Sequence, residues 1–200
     1  MQITSGLMLL IKETNFPIRA TERVGLVWYP VERWMVTSFV FSLMAKRFLI
    51  LSGLAGSGKT QLALAFAKAL VEDKEKQMCV VSVGADWTNR EPLLGYPNAL
   101  KQGEYIKPEN GVLDLLIEAN KPENANKPFF LILDEMNMSY VERYFADFLS
   151  AMESHEAIAL WKECNNGSES CECNVPERIE LPDNLFIIGT INVDETTYMF

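Results

Sequence analysis

The feature that most constrains this chain is an eight-residue run, Gly53-Leu54-Ala55-Gly56-Ser57-Gly58-Lys59-Thr60. It fits the pattern G-x-x-x-x-G-K-[ST] of a phosphate-binding loop. The apolar run 48–51 before it predicts a buried strand, and the Ala- and Leu-rich run 61–70 after it predicts a helix. The glycines allow backbone N–H groups to face phosphates, and the dipole of the helix N-terminus favours negative charge there.

Within this loop, we expect Lys59 to reach the β- and γ-phosphates of a nucleotide and the Thr60 hydroxyl to bind Mg²⁺. The alternative is a glycine-rich turn that binds nothing. The remaining residues expected to contact the nucleotide are those of the loop backbone and the start of the helix, namely Gly53, Leu54, Ala55, Gly56, Ser57, Gly58 and Gln61.

Length and charge narrow the classes of function. Two hundred residues, 48% of them hydrophobic, suit one domain with a sizeable core. A net charge of −9 makes nucleic-acid binding by this chain alone a poor prediction, so DNA contact would come from regions outside it. The sequence shows no secretory signal, and its longest apolar stretch, residues 34–45, is too short to span a bilayer. We therefore expect a cytoplasmic protein without a membrane partner.

The cysteines allow two interpretations. Cys79 lies in an apolar run and is expected to be a small buried hydrophobe. Cys164, Cys171 and Cys173 fall within ten residues, and His155 could complete a metal site with them. However, a single residue separates Cys171 from Cys173, whereas zinc sites usually have two to four. An exposed turn with reduced thiols is therefore favoured, and the metal site stays the alternative.

Alternation of strand and helix patterns predicts an α/β fold with three αβα layers around a mostly parallel sheet. Residues 1–29 give the weakest pattern, with short strands expected at 7–11 and 24–28. A helix is expected to follow Pro30, with its apolar face formed by Val31, Trp34, Met35, Ser38, Phe41 and Ala45. Further strands are predicted at 47–52, 78–83, 129–133 and 185–191, helices at 61–70, 111–120 and 141–152, a solvated loop at 73–76, and hairpin arms at 157–161 and 177–181.

A pair of carboxylates follows the apolar run 129–133. Asp134 fits a Walker B strand, whose aspartate helps to hold Mg²⁺. Glu135 comes directly after it, where a carboxylate can polarise a water molecule for attack on the γ-phosphate. Transfer of phosphate to a small-molecule hydroxyl does not require that water, so the pair favours hydrolysis over kinase chemistry. The alternative is a strand that ends in solvated carboxylates.

Asn192 follows the apolar run 185–191. An amide at the end of this strand can donate to the γ-phosphate or to the attacking water. The alternative is an asparagine that only makes a turn.

In this order, the phosphate loop, the Asp-Glu pair and the strand-terminal asparagine resemble the AAA+ ATPases. The runs LLGYPN, LILDEMNMS and LPDNLFIIGTIN extend the resemblance, over about residues 30–193, to the McrB-type and dynein-related branch, which includes a GTP-dependent motor. The resemblance implies a ring-forming NTPase with nucleotides bound between subunits, and a nuclease subunit as a possible partner. It assigns Walker A to Lys59 and Thr60, Walker B to Asp134 and Glu135, and sensor 1 to Asn192; Asn137 matches an asparagine of this branch whose role stays open.

The chain also departs from this family. McrB reads MNTADRS at the sensor strand, whereas residues 191–197 keep only the asparagine of that run, so we expect ATP to be favoured over GTP. By family position, residues 27–30 form a wall of the base pocket. A family member continues beyond sensor 1 into a fifth strand, arginine fingers and a lid, whereas this chain stops at Phe200.

We therefore expect residues 30–200 to be a partial AAA+ core with a hairpin-like insertion at about 156–181, which binds nucleotide and hydrolyses it slowly at best. Its P-loop strand would be an exposed sheet edge unless residues 7–11 cover it. Two other functions stay open: a regulatory or assembly module that binds nucleotide without hydrolysis, and a P-loop kinase.

Overall fold

The computed structural model of the chain describes residues 17–19, 28–30, 33–101, 104–161 and 175–193. Helices separate the longer strands along these segments, as the sequence predicts. The strands are β1 (Pro17–Arg19), β2 (Trp28–Pro30), β3 (Phe48–Gly53), β4 (Met78–Ser82), β5 (Tyr96–Pro97), β6 (Tyr105–Ile106), β7 (Phe129–Asp134), β8 (Ile158–Ala159), β9 (Arg178–Ile179) and β10 (Leu185–Asn192). The α-helices are α1 (Arg33–Ala45), α2 (Lys59–Leu70), α3 (Lys74–Gln77), α4 (Glu91–Leu94), α5 (Val112–Ala119), α6 (Val141–Tyr144) and α7 (Ala146–Ser154).

The central sheet has four parallel strands in the order β3-β10-β7-β4. Ile187 of β10 lies opposite Phe48 of β3 and Leu131 of β7, which fixes the register of the three strands. The α/β prediction with a parallel sheet is therefore confirmed. Because β10 lies between β3 and β7, the polar residues that follow these strands lie side by side at the carboxyl end of the sheet.

Helices cover both faces of this sheet. On one face, α1 and α2 pack on β7 and β10, with Phe66 against Phe39 (ring centroids 4.4 Å apart) and against Phe130 (6.1 Å). On the other face, α5, α6 and α7 pack on alternate residues of the same strands, where Phe145 and Phe148 stack at 4.7 Å. Residues of β7 are buried on both sides, which explains its unbroken apolar run.

The buried face of α1 differs from the predicted one. The buried residues are Val36, Phe39, Val40 and Leu43, at the spacing i, i+3, i+4, i+7, whereas Phe41 is 52% exposed. Ser38 and Ala45 are also exposed, and nothing is described of the side chains of Val31, Trp34 and Met35. The helix is apolar on two sides, so periodicity alone could not identify the side that packs on the sheet.

Two local elements also differ from prediction. The charged run 73–76 is not a loop but begins α3, whose first turn is capped by the Asp73 side chain accepting from the backbone N–H groups of Glu75 and Lys76. The single helix predicted over 141–152 is divided at Phe145, whose backbone (φ −110°, ψ 4°) leaves the helical region between α6 and α7.

The arms expected of a hairpin pair as the antiparallel strands β8 and β9. The Arg90 guanidinium holds this pair against α7, donating to Asp147 Oδ2 at 2.7 Å and to the Ala159 carbonyl at 2.8 Å. Residues 164, 171 and 173, the three clustered cysteines, lie outside the described residues, as do the strands expected at 7–11 and 24–27.

Cys79 is buried as expected, with its thiol 3.0 Å from the Asn110 carbonyl oxygen, and burial raises its pKa to about 11. Among the residues that the structure describes, no group of three or more His, Cys, Asp or Glu side chains is placed to hold a metal ion. Within the same residues, every helix is too short or too polar to cross a lipid bilayer.

Candidate functional site

The predicted phosphate loop is the turn between β3 and α2. Gly56 (φ 74°) and Gly58 (φ 84°) both adopt left-handed backbone conformations. A Cβ atom at either position would meet nothing within 4 Å, so glycine is needed for the backbone conformation and not for lack of space. Residues 54–58 are exposed, which leaves the loop open to a ligand from solvent.

Lys59, the first residue of α2, folds its side chain back across the loop. Its Nζ donates to the Leu54 carbonyl at 2.7 Å, to the Gly53 carbonyl at 3.0 Å and to Asn192 Oδ1 at 3.0 Å. The ammonium group therefore lies between the loop and the carboxyl end of β10. In this position the ammonium group can attract the oxygens of a phosphate that binds in the loop.

Thr60 and Asp134, the two predicted Mg²⁺ ligands, are in direct contact. The Thr60 hydroxyl donates to Asp134 Oδ1 at 2.6 Å, which joins the start of α2 to the end of β7. Hydroxyl and carboxylate oxygens are hard ligands of the kind that Mg²⁺ prefers. Two of them side by side, next to a phosphate loop, fit a site for this ion.

Glu135 lies immediately beyond β7 and turns toward β10. Its backbone is left-handed (φ 54°, ψ 46°), which is uncommon for a residue with a side chain. Its Oε1 accepts from Asn192 Nδ2 at 3.1 Å. The Asn192 amide thus contacts Lys59 through its oxygen and Glu135 through its nitrogen, so it connects the phosphate loop to the acidic pair.

Asn137 has a clear structural role that sequence reasoning had left open. It is 4% exposed in the 3₁₀ turn Met136–Met138. Its Nδ2 donates to the Asn192 carbonyl at 2.9 Å, and its Oδ1 accepts from the Asn192 backbone N–H at 3.3 Å. This reciprocal pair fixes the last residue of β10 to the turn that carries Glu135.

Sequence reasoning missed two residues of β10. Thr190 is 1% exposed, and its hydroxyl donates to Asp134 Oδ1 at 2.7 Å while accepting from the Glu135 backbone N–H at 3.0 Å. Gly189 lets Met136 approach the strand, because a Cβ atom there would lie 2.6 Å from Met136 Sδ. The only available signal was a small and a polar residue within the apolar run LFIIGTIN.

The structure thus brings together Lys59, Thr60, Asp134, Glu135 and Asn192 in one hydrogen-bonded network. Gln61 is exposed on α2 and takes no part in that network. Of the segment expected to border the base, residue 27 lies outside the described residues. Residues 28–30 form β2, of whose side chains nothing is described.

No protein-family model matches the chain. The chain is 28% identical over 152 residues to the type IV methyl-directed restriction enzyme EcoKMcrB subunit of Escherichia coli strain K12. The match covers 75% of this chain but only 31% of that relative, so the chain spans about a third of the length of the protein it resembles. Together with the parallel sheet, this similarity supports a McrB-like family for the chain.

Proposed function

We propose that this chain binds a nucleoside triphosphate with Mg²⁺ and hydrolyses it, as the core of a McrB-like AAA+ motor. The observation that carries the proposal is the convergence of side chains from α2, β7 and β10. Lys59 contacts Asn192 at 3.0 Å, Asn192 contacts Glu135 at 3.1 Å, and Thr60 contacts Asp134 at 2.6 Å. A phosphate loop, two carboxylates and an amide at one end of a parallel sheet are the groups that phosphoanhydride hydrolysis needs.

Each group has a separate task in the proposed reaction. Lys59 neutralises charge on the β- and γ-phosphates, and Thr60 and Asp134 hold the metal ion. When bound, Mg²⁺ neutralises charge on the β- and γ-phosphate oxygens. Glu135 accepts a proton from water as the water oxygen bonds to the γ-phosphorus and the bond to the β–γ bridging oxygen breaks. Asn192, which contacts both Lys59 and Glu135, orients that water.

We propose ATP as the favoured nucleotide over GTP. The support is the departure of residues 191–197 from the MNTADRS run of McrB, which removes the sequence reason to expect GTP. By family position, residues 27–30 are the proposed wall of the base pocket.

The E. coli relative is named as a subunit of a methyl-directed restriction enzyme. By analogy, we propose that the protein self-associates into a ring and works with a nuclease subunit. A neighbouring subunit would then supply an arginine to the γ-phosphate, which in related reactions raises the rate by about 10³- to 10⁵-fold. Because a net charge of −9 repels the phosphates of DNA, we propose that any DNA contact is made by regions outside this chain.

Calorimetric titration with ATP and with GTP, each with Mg²⁺, tests this proposal. We expect saturable binding that Lys59→Ala weakens at least tenfold, because the ammonium group lies against the loop, 2.7 Å from the Leu54 carbonyl oxygen, where it can pair with phosphate. Lys68→Ala is the matched control, since Lys68 is exposed and lies in the last turn of the same helix, whereas Lys59 begins it. Equal binding by wild type and Lys59→Ala would refute the proposed site.

The alternative function is a regulatory or assembly module that binds nucleotide without turning it over. The exposed, open loop is compatible with it, because binding requires only the loop and its helix. The geometry at Glu135 favours hydrolysis instead. Asn192 holds this carboxylate near the loop, where it can accept a proton from water, and binding alone does not require such a group. A P-loop kinase would instead transfer phosphate to an acceptor and release none into water.

A further inference from the structure

Thr190 is a buried polar residue in the middle of the apolar core strand β10. It is 1% exposed, two residues before Asn192. Burial of a hydroxyl without a partner is costly, so its contacts determine why a polar residue is tolerated there. Both contacts of the Thr190 hydroxyl are with the acidic pair that ends β7: it donates to Asp134 Oδ1 and accepts from the Glu135 N–H.

The first contact orients the proposed metal ligand. Asp134 Oδ1 accepts from Thr60 at 2.6 Å and from Thr190 at 2.7 Å, so hydroxyl groups from two different elements fix one carboxylate oxygen. Groups that hydrogen-bond a metal ligand usually fix its orientation and affect metal affinity. Of the two, Thr60 is itself a proposed ligand, whereas Thr190 is not and would affect metal binding through Asp134.

The second contact holds the backbone of the proposed base. Glu135 has a left-handed conformation, which is unfavourable in a residue with a side chain. Such a conformation persists only where its surroundings fix it. Here the Glu135 N–H is held by Thr190 at 3.0 Å and its carbonyl accepts from the Met138 N–H at 2.8 Å. This conformation directs the Glu135 side chain to Asn192.

We infer that Thr190 is a positioning residue whose single hydroxyl couples the metal ligand Asp134 to the base Glu135. The same hydroxyl thus restrains both the Asp134 carboxylate and the Glu135 N–H. The inference rests on the proposed function. It goes beyond that function because it assigns metal affinity and base orientation jointly to a residue that would touch neither nucleotide nor metal.

Thr190→Val tests this coupling, because valine keeps the shape of threonine and removes the hydroxyl. ATP affinity is measured by calorimetry in EDTA and at increasing Mg²⁺ concentrations. We expect the half-saturating Mg²⁺ concentration to rise about tenfold or more, the range seen for groups that support metal ligands. ATP affinity in EDTA should stay within about twofold of wild type, because Lys59 and the loop are unchanged. Thr190→Ser, which keeps the hydroxyl, should restore the Mg²⁺ dependence.

Tyr144→Phe is the matched control. Tyr144 is also fully buried, and its hydroxyl donates to the Met136 carbonyl at 2.8 Å, in the same turn but on neither carboxylate. We expect this variant to lose stability without a change in Mg²⁺ dependence. A purely structural role for Thr190 predicts the same behaviour in Thr190→Val, and that result would overturn the inference.

A replacement variant and the wild-type titration separate failure of the coupling from failure of the proposed function. If Thr190→Val does not fold, Thr190→Cys replaces it, since a thiol is only a weak donor and the same rise in the Mg²⁺ requirement is expected. If wild type shows no Lys59-dependent ATP binding, the proposed function fails. If wild type binds ATP with Mg²⁺ dependence and Thr190→Val behaves identically, only the coupling fails.

Discussion

The two ends of the central sheet are built differently. At the carboxyl end, polar side chains from α2, β7 and β10 bind one another, and each bond joins residues far apart in the chain. At the amino end, a cleft of about 890 Å³ is lined mainly by apolar side chains, among them Phe48, Leu149 and Ile187. The carboxyl end therefore gathers polar groups from several elements, whereas the amino end carries a mainly apolar cleft.

The ion pair at the amino end illustrates the contrast. Arg47 contacts Asp183 at 2.5 Å, but their side chains are 44% and 95% exposed. Solvent screens such a pair, so it contributes little to stability. The hydrogen-bond network around Asp134 is partly buried, so its groups bond to one another where exposed groups would bond to water. Substitutions at the two ends should therefore differ in kind as well as in size.

The largest effect is expected from Glu135→Gln. Loss of the proposed general base should lower the hydrolysis rate about 100-fold or more, with ATP affinity within about twofold of wild type. Phosphate release at saturating ATP and Mg²⁺ measures it. Glu142→Gln, an exposed carboxylate on α6, is the control and should hydrolyse normally. A measurable wild-type rate that Glu135→Gln leaves unchanged would assign no catalytic role to this residue.

A smaller effect is expected from Asn137→Ala. The substitution removes the side chain that hydrogen-bonds both the backbone N–H and the C=O of Asn192. We expect a loss of about 1–3 kcal/mol in the free energy of unfolding, measured by urea titration. Asn126→Ala, at an exposed position, should stay within about 0.5 kcal/mol of wild type. Equal stability of Asn137→Ala and Asn126→Ala would show that the two hydrogen bonds between Asn137 and Asn192 do not stabilise the packing of β10 against the turn.

The smallest effect is expected at the amino end of the sheet. Asp183→Ala removes an exposed partner of Arg47 and should cost less than about 1 kcal/mol of unfolding free energy. ATP affinity should not change, since Asp183 precedes β10 whereas the loop contacts lie at its opposite end. A loss of ATP affinity in this variant would mean that the two ends of the sheet are coupled.

Much of the fold could be predicted from unbroken apolar runs. β7 and β10 are buried on both faces and flanked by polar residues, so their apolar runs predict the strands and their ends clearly. The face of α1 could not be predicted in the same way, because Phe41 and Phe39 are equally apolar and only packing on Phe66 distinguishes them. The division at Phe145 also depends on packing, since its ring stacks on Phe148 in the core.

The site was predictable where a motif fixes residue spacing. Lys59, Thr60, Asp134 and Asn192 follow from the phosphate loop and from the ends of apolar strands. The hydrogen bonds of Asn137 and Thr190 were not predictable, because they depend on the turn after β7, where Glu135 has a left-handed backbone. Nothing in a glutamate indicates that conformation, whereas a glycine would have signalled it.

The position of β10 in the sheet has a consequence for the order in which the chain folds during synthesis. It is the last described strand in the chain, yet it lies between β3 and β7, and its Asn192 meets Lys59 across 133 positions of sequence. Until residues 185–192 emerge from the ribosome, the phosphate loop and the acidic pair have no strand between them to join them. Contacts over such separations form late and slowly. A growing chain would thus form the loop between β3 and α2 before it contains the strand that joins this loop to the acidic pair.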